Sequence, residues 1–255
     1  MRSGWLLSAV RPISLFAALC CGPAGAGELT VWTGGVFRPA LNELKPQFEQ
    51  AARHALVIHY GSSPEFERHL AAGQAFDAAI LVPATIDRWI KQGKVAAASR
   101  MNIARAGLGV AIRAGAPKPD IASVDGLRRT LLNAKSVAHS SEGPTRAQLM
   151  RLLDRLGIGA AMTAKLKPYP GGGILKAVAQ GDAEMAVSPM PTIVSTPGID
   201  NAGPLPPELQ NYLELTAGTA VGTREPEGAG AFIRFLAGAS AIAAIKAKGF
   251  ELFAP

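Results

Sequence analysis

The chain has 255 residues, 48% hydrophobic and 18% charged, with a formal net charge of +7. That length supports a sizeable core, as one domain or two small lobes, and no dense Lys/Arg run with interleaved aromatics marks a nucleic-acid binder. The two cysteines, Cys20 and Cys21, both lie near the amino terminus, so thiol chemistry and Cys-based metal sites are excluded from the rest of the chain.

The amino terminus reads as a targeting segment. Arg2 and Arg11 give a positive start, Ile13–Cys20 an apolar run, and Ala24-Gly25-Ala26 a small-residue cleavage site. This is the pattern of a secretory signal peptide over residues 1–26, cut after Ala26. The run is too short to span a bilayer, and Leu19 precedes Cys20 where lipidation would want a small residue. Processing removes Arg2, Arg11 and no acid, so the net charge falls from +7 to +5 on a cysteine-free mature chain. For an exported protein, a small anionic ligand explains that residual charge better than nucleic acid does.

Short apolar runs then alternate with amphipathic segments. Leu29–Trp32 is expected as a strand and Pro39–Gln50 as a helix with Leu41, Leu44 and Phe48 on one side. Leu56–Tyr60 is a second strand, followed by Gly61-Ser62-Ser63-Pro64 with Ser63 as N-cap, then a helix over Pro64–Ala72 closed by Gly73. Ala78–Val82 is a buried strand and Ala84–Lys91 a helix. This alternation indicates a parallel sheet covered by helices, with a crevice at the strand carboxyl ends.

Gly115–Pro119 then breaks the pattern between one further strand and a second block. Leu108–Ile112 reads as a strand, Val124–Leu132 as a helix and Ser136–His139 as a strand. A helix from Pro144 stops at Gly157, a strand covers Lys165–Tyr169, a helix runs from Gly173 to Gly181, and Met185–Val187 is again a strand. Gly198–Pro207 reads as a Pro/Gly-rich surface loop. Leu213–Val221 is strand-like, and Pro226–Leu236 and Ala239–Lys248 are helical. Two β-α-β blocks and a carboxy-terminal return suggest two α/β lobes joined by more than one crossover. Lobe 1 is expected from 27–108 plus 216–255, and lobe 2 from 109–215.

The chain is organised around Val137-Ala-His-Ser-Ser-Glu-Gly-Pro-Thr-Arg146. An apolar run stops at Ser140 and Ser141, and Pro144 suits the first turn of the helix that follows. Unpaired N–H groups and the positive dipole end make such a turn attractive to anions; simple capping by Ser140, Ser141 and Thr145 is the plainer reading. Similar turns follow other strands: Thr33-Gly34-Gly35, Gly61-Ser62-Ser63, Gly171-Gly172-Gly173 and Ser188-Pro189. Five of them suggest one shared crevice.

Enzyme signatures are sparse. His54, His59, His69 and His139 form no H-x-x-x-H or H-E-x-x-H pair, no G-x-S-x-G surrounds a serine, and Gly107-Leu-Gly109 lacks the third glycine of a dinucleotide fingerprint. Asp77 and His139 remain candidate bases for a secreted enzyme, although a carboxylate at a strand start more often bonds a neighbouring turn. Trp32 and Tyr60 stand at strand ends, for core packing first and crevice lining second.

Leu29-Thr-Val-Trp-Thr-Gly-Gly35, Gly61-Ser-Ser63, Phe76-Asp-Ala-Ala-Ile80 and Arg224-Glu-Pro-Glu-Gly-Ala-Gly-Ala-Phe-Ile-Arg-Phe-Leu236 with Lys248-Gly-Phe250 resemble an extracytoplasmic solute-binding protein, specifically the molybdate-binding proteins of ABC importers. The resemblance spans the mature chain. It implies a type II-like periplasmic-binding-protein fold, two parallel or mixed sheets flanked by helices around a central cleft. It also implies a non-enzymatic, cofactor-free monomer that delivers a small anion to an inner-membrane ABC permease. Carried over by position, the anion-contacting residues are Thr33, Gly34, Gly35, Val36, Ser62, Ser63, Ser140, Ser141, Thr145, Arg146, Gly172, Gly173, Ile174 and Ser188. The pattern departs at Val36, where those proteins have serine, and at Ser188, where tyrosine is common. Glu142 and Arg146 also add charge to a site type built on neutral donors. A small, molybdate-like oxyanion is the expected ligand, with an organic carboxylate on the same fold as the alternative, a sensing module as a further alternative to transport, and a secreted enzyme last.

Overall fold

The computed structural model describes residues 27–253, apart from 142 and 171–172. The expected leader with Cys20 and Cys21, together with Glu142, Gly171 and Gly172, lies outside the described residues.

The elements run β1 (Glu28–Thr33), α1 (Arg38–Ala52), β2 (Ala55–Tyr60), α2 (Ser63–Ala71), β3 (Ala78–Leu81), α3 (Pro83–Lys91), β4 (Met101–Ala106) and β5 (Leu108–Arg113). There follow α4 (Val124–Asn133), β6 (Val137–Ser140), α5 (Gly143–Arg155), α6 (Gly159–Met162), β7 (Leu166–Tyr169), α7 (Gly173–Gln180), β8 (Met185–Pro189) and α8 (Met190–Val194). The chain closes with β9 (Ile199–Pro204), β10 (Leu213–Thr219), α9 (Pro226–Leu236) and α10 (Ala239–Ala247).

Two five-stranded sheets result, ordered β2-β1-β3-β10-β4 and β7-β6-β8-β5-β9. Each has the same plan. The first strand of a β-α-β-α-β run lies between the second and third, and all three are parallel. An antiparallel strand from elsewhere in the chain then pairs with the third: β10 on β3 in one sheet, β5 on β8 in the other. The sheets are therefore mixed, one of the two kinds the family resemblance implied, although the alternation by itself indicates a parallel sheet. Helices cover both faces. In the first sheet Leu29 and Val31 pack toward α1, α9 and α10, while Trp32 packs with Phe66 and Trp89 of α2 and α3. In the second, Val137 and Val187 pack toward α4 and α5, and Ala138 and Ala186 toward α7.

The chain passes from the first sheet to the second at Gly107 and returns between Pro204 and Leu213. The two passages are tied together. Leu108 N donates to Gln210 Oε1 at 2.7 Å, and Gln210 Nε2 donates to Leu108 O at 3.0 Å, so one carboxamide stands in for a strand partner.

Two strands escape the apolar pattern. The stretch expected as a surface loop, Gly198–Pro207, contains β9, which pairs antiparallel with β5 across a register shift at Val110/Ala111. β4, paired with β10 at the other sheet's edge, is the second. The N-cap of α2 is Ser62 and not Ser63: its hydroxyl accepts from Glu65 N while Glu65 reaches back to Ser62 N, a complete capping box.

Candidate ligand-binding site

The carboxyl ends of the parallel strands place the small-residue turns. Thr33 ends β1 opposite Tyr60, the last residue of β2, and Gly61 N donates to Thr33 O at 3.0 Å, so the turns at 33–35 and 61–63 are neighbours. In the second sheet Ser140 ends β6 opposite Tyr169, the last residue of β7, and Ser141 N donates to Tyr169 O at 2.9 Å. β6 and β8 align Val137 with Met185 and Ala138 with Ala186; two residues further on, the same offset sets Ser140 beside Ser188. The two carboxyl edges also approach each other, because the 3-10 turn Gly35–Phe37 of the first sheet lies against α8 of the second. Met190, at the start of α8, donates its N–H to Gly107 O at 2.9 Å.

Not every residue of these turns offers a side chain. Thr33 is fully buried and its hydroxyl donates to Ile80 O at 3.0 Å. Val36 packs against the first sheet's core, and Ile174 is a buried member of the α7 core. Their backbone alone can face a ligand. Gly34 and Gly35 are different: a Cβ at either would meet no atom within 4 Å, and neither has a positive φ. Neither strain nor packing inside the chain calls for glycine there, and both positions leave their backbone open to the space beyond the turn. Gly173 is the first residue of α7, over Tyr169; Gly172 is outside the described residues.

Among the hydroxyls, Ser62 is exposed and engaged in its capping box, and Ser63 is the half-buried first residue of α2. Ser62→Ala should therefore cost about 1 kcal/mol in chemical unfolding, whatever ligand is present. Ser141 is exposed and Thr145 half-buried in the first turn of α5. Ser188 is only 3% exposed, and its hydroxyl has no hydrogen-bond partner among the described residues. Arg146 is exposed and likewise without hydrogen bond or ion pair among them.

Sequence reasoning missed Arg38. It opens α1 directly after the turn that touches α8, and its guanidinium lies 3.7 Å from the centroid of the Tyr60 ring. Half-burial raises the Tyr60 hydroxyl pKa above its ordinary value, and the charge of Arg38 offsets this in part. No acid occupies the first turn of α1, α5 or α7. Arg38 and Arg146 thus sit at the helix ends where the dipole disfavours a cation, one on each sheet. The readable signal for Arg38 was its spacing: it follows the end of β1 by nearly the interval that separates Arg146 from the end of β6.

Asp77 is structural. It stands at the opposite end of β3, where Oδ2 accepts from Thr30 N at 2.8 Å and Oδ1 from the Thr223 hydroxyl at 2.5 Å. Trp32 belongs to the core and not to the crevice, stacked between Phe66 and Phe76.

Two mixed sheets of one plan, joined by two passages and facing each other with their parallel-strand carboxyl ends, define the two-lobed α/β class of periplasmic binding proteins. The chain belongs to the family of bacterial extracellular solute-binding proteins, whose model matches residues 29–251. It is similar to the periplasmic molybdate-binding protein of Azotobacter vinelandii, with a TM-score of 0.72 and 24% identity over 89% of this chain and all of that one. It is also similar to the sulfate-binding protein SubI of Mycobacterium tuberculosis, with a TM-score of 0.68 and 20% identity over 90% of this chain and 88% of that one. In sequence it is 29% identical, over 229 residues, to an aconitate isomerase from a Pseudomonas species, covering 88% of this chain and 87% of that protein.

Proposed function

We propose that this protein captures a small organic anion with two or more carboxylates between its lobes and delivers it to an inner-membrane ABC permease. The carrying observation is the pair Arg38 and Arg146. Each lobe contributes one guanidinium, at a dipole-disfavoured helix end with no acidic partner among the described residues. A tetrahedral oxyanion is small enough to be held by neutral donors, whereas a polycarboxylate offers a separate charged fork to each guanidinium. The relative named as an aconitate isomerase supports a tricarboxylate, while the molybdate- and sulfate-binding neighbours share the fold at lower identity.

On this reading lobe 1 is built from the chain up to Gly107 and again from Leu213, with lobe 2 between, and closure turns on the paired passages at Leu108 and Gln210. Gly34, Gly35, Gly173, Ser63, Ser141, Thr145 and Ser188 complete the site with N–H and hydroxyl donors. The chain is exported by its leader and cut after Ala26, so intact mass of the secreted protein should begin at Gly27.

A thermal-shift panel tests the ligand class. Di- and tricarboxylates at about 100 times Kd should add about 2.7 kcal/mol to stability, seen as a rise of several degrees, with molybdate and sulfate giving none. The reverse ranking would overturn the polycarboxylate reading.

A further inference from the structure

A cavity of about 240 Å³ lies between α5 and the two passages that join the sheets. No described residue of the turns at 33–36, 61–63, 140–146, 172–174 or 188 lines it. Pockets that take drug-sized molecules run to roughly 300–1,000 Å³, so this one suits a small occupant. α5 contributes Gln148, Arg151 and Arg155, polar residues three and four positions apart and therefore on one helical face. The passages contribute Gln210 and Asn211, while the buried side chains of Leu108, Leu152 and Leu209 make part of the lining apolar. Gln210 is engaged with Leu108. The side chains of Gln148 and Asn211, both half-buried, have no hydrogen-bond partner among the described residues.

The charge of this lining is one-sided, with two guanidinium groups and no acid. Arg155 donates through Nη2 to Glu208 O, which anchors it to the return passage. Arg151 makes no hydrogen bond or ion pair among the described residues. A basic residue in the last turn suits the helix dipole, which accounts for Arg155. It does not account for Arg151 one turn earlier, because like charges four residues apart repel. At that spacing the Cβ atoms stand about 5–6 Å apart, close enough for both side chains to reach one anion in the cavity. The crevice is elsewhere: Arg155 follows Arg146 by roughly 13 Å of helical rise and half a turn round the axis.

We propose that this cavity is a second anion site, holding one phosphate-like tetrahedral oxyanion between the guanidinium groups of Arg151 and Arg155. A planar carboxylate presents one two-oxygen edge and satisfies one fork, whereas a tetrahedral anion presents an edge to each. Gln148 and Asn211 add neutral amide donors. The site does not depend on the polycarboxylate reading, since the two share no residue. Its occupancy ties α5 of the second sheet to the return passage, beside the Leu108–Gln210 pair where the chain changes sheet.

The test titrates the full mature chain with inorganic phosphate at constant ionic strength, followed by calorimetry and by the phosphorus NMR signal. The wild type should bind one phosphate per chain. Both arginines are exposed, so screening weakens each contact, and saturation is expected near ~1 mM. The thermal panel, read at lower anion concentrations, then reports on the crevice alone. Arg151→Met should weaken phosphate at least about 10-fold. Arg151→Lys should do the same, because it keeps the charge and loses the fork. Exposure of Arg151 makes both changes compatible with folding. Arg38→Met and Arg146→Met should leave phosphate within about threefold of wild type, as substitutions remote from the cavity. Absence of saturable binding, or wild-type affinity in Arg151→Met, would overturn the site. Wild-type affinity in Arg151→Lys would reduce it to diffuse charge attraction and so remove the two-fork geometry. Phosphate binding lost with Arg38 or Arg146 and kept without Arg151 would put the anion in the crevice and equally refute the second site.

Discussion

Trp32→Ala is expected to cost about 3–5 kcal/mol of folding stability, the largest loss from any single side chain considered in this protein. The indole is 2% exposed on β1, an interior strand of the first sheet. It stacks on Phe66 at 5.0 Å and Phe76 at 4.8 Å, and meets Trp89 edge-on at 6.1 Å. One ring thus joins β1 to α2, to α3 and to the chain leading into β3, and aromatic pairs add to the area buried. Chemical unfolding should show the midpoint falling with little change in slope. Because Trp32 neighbours Thr33 without facing the crevice, any ligand affinity that survives should be near wild type. A large affinity loss in a folded variant would show instead that Trp32 supports the turn at Gly34 and Gly35.

The elements that could be read from the sequence are those whose burial is two-sided or periodic. β1, β3 and the helices α1, α2 and α9 announced themselves through Leu29–Trp32, Ala78–Leu81 and the apolar faces containing Leu41, Leu44 and Phe48 or Phe232 and Leu236. β4 and β9 did not, for a shared physical reason: both are edge strands held by partners far away in sequence. β4 pairs with β10, more than 100 residues on, and its Arg105 pairs with Glu251, 146 residues away, and lies 4.1 Å from the Tyr212 ring centroid. β9 reads as a loop because it contains Asp200, Asn201, Gly203 and Pro204. Its shape is set by Asn201 Oδ1 accepting from Gly203 N, by Asp200 holding Gly115 N, and by a positive φ at Gly203. Pattern rules score side chains against their own neighbours and have no access to such pairings.

The candidate site divides in the same way. The turns were visible because glycine and serine at strand ends are local signals, and their adjacency within each sheet follows from parallel pairing. What each side chain does was not visible. Ser62 and Ser63 exchange roles because a capping box needs an acid three residues on, and Glu65 serves Ser62. Arg38 was hidden in a stretch read as the approach to a helix at Pro39, since only the folded chain lays it over Tyr60.

That pair of arginines sets the second large effect. Arg38→Met and Arg146→Met each keep most of the side chain's apolar length and remove its charge. A hydrogen bond to a charged group contributes about 1.5–3 kcal/mol, so each substitution should weaken polycarboxylate binding by roughly 10- to 150-fold. Stability should change little: each substitution removes a cation from the positive end of a helix dipole, and at Arg38 that gain is offset by loss of the contact with the Tyr60 ring, about 0.5–1 kcal/mol. The double variant discriminates further. If one carboxylate of the ligand is held by each lobe, the two losses add, since the arginines share no contact, and no affinity measurable by calorimetry should remain. If both act on a single carboxylate, the second substitution should cost much less than the first. Titrating wild type and the three variants with the best ligand of the thermal panel decides between these cases. Wild-type affinity in both single variants would remove the arginines from the site and, with them, the reason for preferring a polycarboxylate to an oxyanion.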